Sequence, residues 1–110
     1  MLRAGSLNRR VVIERPEVLR NPSGQGRVVG WERVATVWAN IRVANGKEHI
    51  ASGAEMSPLQ ASFRIRWLKG ITTEMRLTYA GIAYEIEAVL PDLAGHEYVD
   101  LVATAGKRKA

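Results

Sequence analysis

From Ser62 to Leu90 the apolar residues recur at every second position, in three runs separated by short polar breaks. In the first run Phe63, Ile65 and Trp67 share one side, and Ser62, Arg64 and Arg66 share the other. That is the alternation of a strand with one dry and one wet face. In the second run Met75, Leu77 and Tyr79 alternate with Arg76 and Thr78. Ala80-Gly81 then supplies a tight turn, with Gly81 free to take positive φ. The third run places Ile82, Tyr84, Ile86, Ala88 and Leu90 on one face, and Pro91-Asp92 closes it because proline cannot donate to a ladder. The stretch predicts strands over 62–68, 75–80 and 82–90, joined as a meander with one apolar side.

Three further strands are predicted around this core. Val11-Val12-Ile13 is a β-branched run that Pro16 should end, giving a strand over 9–15. Residues 31–43 carry Ala35, Val37, Ala39, Ile41 and Val43 on one face, which leaves Trp38 on the other. A tryptophan turned away from the core either packs under another part of its own chain or meets another subunit. Residues 97–104 repeat the pattern with Val99, Leu101 and Ala103, after a turn around Gly95. Ile13, Val37, Ile41, Phe63, Ile65, Trp67, Leu77, Tyr84, Ile86 and Leu101 are the expected core. The fold class is mainly β: a small barrel of about six antiparallel strands.

Two segments lack this alternation. Glu17 to Gly30 holds Asn21, Pro22, Ser23, Gly24 and Gly26, a cluster of turn formers that predicts a long exposed hairpin tip tolerant of mobility. Ala44 to Ala61 shows only a weak helical tendency, near Lys47 to Ala54, and reads as a long loop carrying one short helix. Its sizeable apolar side chains are Ile50, Met56 and Leu59. They are the expected anchors of a subunit contact, the other outcome being that they fold back onto their own barrel.

Composition narrows the class. A chain of 110 residues with 46% apolar content predicts one domain over 1–105, followed by a short tail, and the absence of cysteine rules out disulfides and thiolate metal sites. No run resembles a signal peptide or reaches the ~20 apolar residues of a bilayer span, so no membrane partner is expected. The net charge of +5 resides at the ends. Arg3, Arg9, Arg10, Lys107, Arg108 and Lys109 carry six positive charges, leaving ten basic against eleven acidic residues elsewhere. The basic tail at 106–110 is either solvated or close to DNA.

Catalytic and cofactor motifs do not assemble. Gly24-Gln25-Gly26 with Gly30 lacks the strand-then-helix setting of a dinucleotide site. His96-Glu97 has no second histidine four residues on, and His49 stands alone. Glu85 and Glu87 share the wet face of a strand, where carboxylates are ordinarily solvated. No cofactor, metal site or catalytic residue is predicted. Arg64, Arg66 and Trp67 raise a second possibility, a monomeric barrel that binds single-stranded nucleic acid. The arginines, however, point opposite to the aromatic residues.

The order of short motifs along the chain resembles that of a known family. Arg-Ala-Gly-x-Leu at Arg3 to Leu7 is followed by Glu-Arg-Pro ending at Pro16, Thr-Val-Trp-Ala at Thr36 to Ala39, and Gly46-Lys47-Glu48. Phe-Arg-Ile-Arg-Trp then precedes Gly-Ile-Thr at Gly70 to Thr72, and Gly-x-x-Tyr-Glu-Ile follows at Gly81 to Ile86. Together they resemble the head-closure, or head-tail joining, proteins of long-tailed bacteriophages, although Thr73 stands where a proline often follows Gly-Ile-Thr. The resemblance implies a virion protein, made in the bacterial cytoplasm, that assembles as a homo-oligomeric ring between the portal-adaptor complex and the tail. It also implies proximity to packaged double-stranded DNA and no catalytic residues. Trp38, Lys47, Glu48, Ile50, Met56 and Leu59 are the expected interface residues, and Lys107, Arg108 and Lys109 the expected DNA-proximal ones.

Overall fold

The computed structural model describes residues 5, 7–44 and 59–105. Six strands form it: β1 (Arg9–Arg20), β2 (Gly26–Ala44), β3 (Leu59–Arg66), β4 (Arg76–Tyr79), β5 (Ile82–Pro91) and β6 (Tyr98–Ala105). They close into an irregular barrel in the order β1-β2-β3-β6-β5-β4, with every neighbouring pair antiparallel. The closing seam is short, since β1 meets β4 only from Val12↔Thr78 to Glu14↔Arg76. The short helix expected near Lys47 to Ala54 lies outside the described residues.

The alternation predicted for the meander is what fills the barrel. Val11, Ile13, Phe63, Ile65, Leu77 and Leu101 are fully buried, and Ala39, Ala61 and Ala103 let the strands approach on the same inner face. Phe63 meets Tyr84 edge to face, with ring centroids 5.1 Å apart, a geometry aromatic pairs favour. Residues 67–75 cross one end of the barrel from β3 to β4, and Ile71 caps the core there.

Three expected core residues are only partly buried. Val37 faces inward, but β3 joins β2 only from Ala39 onward, so the flank at Val37 is open. Ile41 sits toward the rim where β2 ends. Trp67 lies one residue past β3, packing on the core margin and stacking on His96 at 4.3 Å between centroids.

Pro16 does not end β1. It pairs with Trp31, and both strands run on to Arg20↔Gly26. Past Glu14 β1 has a neighbour on one side only, and an edge is where a ladder accepts a residue without an N–H. The segment expected as a loose tip is therefore a two-stranded arm, with bulges at Val34 and Val29 between paired positions. Only residues 21–25 turn. Asn21 organises them: its carbonyl accepts the Gly24 N–H, and its side-chain oxygen accepts from Gln25 N–H at 3.0 Å and from Ser23 Oγ at 2.8 Å. At Gly26 any Cβ would come within 2.6 Å of Val18 Cγ1, so the strands close tightly only because a glycine stands there.

A second correction concerns β5. Tyr84 and Ile86 are buried as expected, but a bulge at Glu87 reverses the phase. Val89, paired with Leu101, takes the inner position, and Leu90 turns outward at 53% exposure. Ile82, at the start of the strand, is also exposed.

The Ala80-Gly81 turn has φ of 53° and 81°, so a Cβ occupies the left-handed region at Ala80. Ala80→Gly should therefore stabilise the barrel, by up to about 1 kcal/mol. An unchanged urea midpoint would refute this.

Candidate interaction surfaces

The hydrogen-bond register sorts the barrel's features between two ends. The arm, the 67–75 crossing and the 92–97 turn share one end. The β4–β5 turn, the end of β6 and the two strand ends that flank residues 45–58 share the other. Ala44 pairs with Gln60, so the 45–58 segment leaves and re-enters the barrel at adjacent positions on one rim. Lys47, Glu48, Ile50 and Met56 lie in that segment, outside the described residues, as do Lys107, Arg108 and Lys109 beyond β6. Leu59 opens β3 and is packed in part against its own core.

Trp38 is half exposed on the outer face of β2, as the alternation requires. The guanidinium of Arg10, its cross-strand partner, lies 4.9 Å from the ring centroid. Together with Gly5, Leu7, Asn8 and Arg66, Trp38 lines a shallow hollow. Gly5, Leu7 and Asn8, the described residues before β1, therefore border Trp38, which keeps 49% of its surface exposed. Leu7, buried at 7% exposure, is a residue the strand pattern could not identify, because it precedes the first alternating run.

The same device recurs on the outer wall. Arg76 Nε donates to Glu14 Oε1 at 2.8 Å and its guanidinium stacks 4.1 Å from the Trp31 ring. Arg64 forms a two-pronged pair with Asp100, at 2.8 and 2.9 Å, and lies 3.8 Å over Tyr98. The hydrogen bonds to Asp100 raise the Arg64 pKa above its ordinary value. Trp31, Trp38 and Tyr98 thus each have a ring face covered by an arginine. A single-strand binder needs such faces open for base stacking, so this arrangement does not favour the nucleic-acid reading. Arg64 and Arg66 do lie opposite to Phe63 and Ile65, as the sequence predicts.

The 92–97 turn is built on one carboxylate. Asp92 accepts the Gly95 N–H at 3.1 Å and the Glu97 N–H at 3.2 Å, and its own N–H donates to Tyr98 O. These backbone donors hold the Asp92 pKa below its usual value. A depressed folded-state pKa contributes stability above the unfolded value of about 3.9, and that stability is lost as pH falls through the folded value. The melting-temperature gap between wild type and Asp92→Ala should therefore be constant from pH 7 to 5 and narrow below about pH 4. A gap independent of pH would show that the charge plays no part.

Nine large apolar side chains are exposed among the described residues, and they fall in two places. Val18, Leu19, Val28, Val29, Val34 and Trp38 belong to β1 and β2. Ile82, Leu90 and Leu93 belong to β5 and the turn that follows it. Adjoining exposed apolar side chains, such as the cross-strand pair Val18–Val28, mark contact surfaces. Among the described residues no group of three or more histidine, cysteine or carboxylate side chains could hold a metal ion.

A family model described as phage head completion protein matches residues 2–106. The solution structure of protein SF1141 from Shigella flexneri 2a is similar at a TM-score of 0.71 and 28% identity, covering 98% of this chain and 100% of that one. A chain in the virion of a native gene transfer agent particle is similar at a TM-score of 0.68 and 22% identity, covering 89% of this chain and 93% of that one, a likeness of fold. No curated protein sequence matches the chain significantly.

Proposed function

The chain belongs to the phage head completion protein family, whose members are structural proteins of the phage head, and from that premise we propose that it forms a ring closing the DNA-filled head and docking the tail. The observation that carries this reading is the extent of the family match, which takes in nearly the whole chain. The proposed role is mechanical and involves no catalysis. A ring between head and tail needs three sets of contacts: with its own copies, with the portal-adaptor side and with the tail side. A barrel bearing an arm at one end and, at the other, the strand ends that flank residues 45–58 has the separation such a role requires.

On this reading Trp38, Lys47, Glu48, Ile50 and Met56 contribute to subunit and partner contacts. Leu59 contributes only what its packing on its own core leaves free. The basic residues Lys107, Arg108 and Lys109 follow, in sequence, β6, whose last residue Ala105 pairs with Leu59, and on this reading they would lie near the DNA path, where phosphate contacts are salt-sensitive. The protein would be made in the host cytoplasm and act in the virion.

Silencing the gene during particle production tests the proposal. Heads should then fail to retain DNA and tails should accumulate unattached, and purified protein added to the extract should restore joined particles. A normal yield of tailed, DNA-filled particles without the protein would overturn it.

A further inference from the structure

The charges of this chain are segregated in a way its net charge conceals. Between Arg9 and Ala44 there are seven arginines and three glutamates, whereas between Leu77 and Ala105 there are five carboxylates and no lysine or arginine. In the closed strand order β2 stands three places from β5, so the two populations lie on opposite walls. The exposed apolar side chains follow the same division: six on β1 and β2, three on β5 and the turn after it, and none on β3, β4 or β6 among the described residues.

The arm is net positive, with Arg15, Arg20, Arg27 and Arg33 against Glu17 and Glu32 and one ion pair, Arg15–Glu32, among them, whereas the far wall carries carboxylates without a lysine or arginine. On the arm Val18 and Val28 pair across the ribbon with Arg20 on the same face, and Leu19 pairs with Arg27 on the other. On the far wall Leu90 and Leu93 stand exposed at 53% and 77%, with Glu85, Asp92 and Glu97 on the same strand and turn. A two-stranded ribbon that extends past its sheet is only marginally stable in water, and its apolar pairs gain most from a covering surface. Opposite charge aligns such partners and discourages like walls from meeting.

We propose that the arm of one copy seats on the β5 wall of the next, so that identical chains join head to tail. This inference rests on the ring reading above and names the surfaces that make the ring. Complementary patches on opposite walls make a heterologous contact, which closes into a ring when the rotation between neighbours permits. Two copies cannot satisfy each other symmetrically through it.

The absence of cysteine allows a direct test in assembled particles. Val28→Cys and Leu90→Cys are introduced together and singly, and treated with a short bis-maleimide linker; Leu93→Cys replaces Leu90→Cys as a second acceptor position. All three residues are exposed, so the fold should tolerate the changes. The double variants should give a ladder of covalent oligomers that ends at a closed ring, and the single variants should remain monomeric on denaturing gels. Dimers from Val28→Cys alone would overturn the proposal by showing arm against arm. Rings visible by electron microscopy without crosslinks in either double variant would overturn the pairing and leave the ring reading intact. Particles without any ring of this chain would overturn both.

Discussion

Replacing Phe63 by alanine should destabilise the barrel by about 3–5 kcal/mol. Phe63 is the only phenylalanine of the chain and is fully buried on β3, the strand hydrogen-bonded to both β2 and β6. Its removal deletes apolar area, leaves a void between Ile41 and Leu101, its cross-strand partners, and loses the edge-to-face contact with Tyr84. A small domain holds only about 5–15 kcal/mol in total, so the variant should lose a large share of its margin. Urea unfolding followed by circular dichroism measures it. A loss below about 1 kcal/mol would mean that the barrel closes around some other centre.

Shortening the 45–58 segment should have the opposite signature, with stability kept and tail attachment lost. Ala44 and Gln60 are already paired, and β2 and β3 stay in register from there to Ala39↔Ile65. Asn-Gly in place of residues 45–58 leaves, with Leu59, a three-residue loop between this pair, a length that joins antiparallel strands. The variant should melt within a few degrees of wild type, while the yield of tailed particles should fall by orders of magnitude. Wild-type infectivity would remove this segment from the proposed contacts, and an unfolded variant would show that it supports its own barrel.

The strands were legible because their inner faces are apolar and their outer faces are not. Phe63, Ile65, Leu77, Tyr84, Ile86 and Leu101 follow the two-residue period and are buried. What the pattern missed has specific causes. A bulge inserts one residue without disturbing local composition, so nothing around Glu87 signals that Val89 replaces Leu90 on the inner face. The arm escaped because its apolar residues pack against no core, and period-2 burial is absent from Val18-Leu19 and Val28-Val29. Pro16 misled because the rule against proline in ladders loosens at an edge, and the edge is a property of the closed fold.

Of the candidate surfaces, the outward turn of Trp38 followed from counting positions along β2. The charge division is also written in the sequence, with seven arginines against three glutamates in residues 9–44 and five carboxylates and no lysine or arginine in residues 77–105, but an average over the chain hides it. Only the strand order puts the two halves of that average on opposite walls. The cross-strand pairs Arg64–Asp100 and Arg76–Glu14 span 36 and 62 residues, separations at which no local pattern couples them.

The position of this chain in the particle decides its role. A reconstruction of the head-tail vertex of intact particles measures that directly, by fitting the six-stranded barrel into density between the head and the tail. The account predicts a closed ring of barrels at that level, with the arm of each touching the β5 wall of its neighbour and the 45–58 segments together on one rim of the ring. Density placing the barrel elsewhere in the particle, or as isolated copies that form no closed ring, would contradict it.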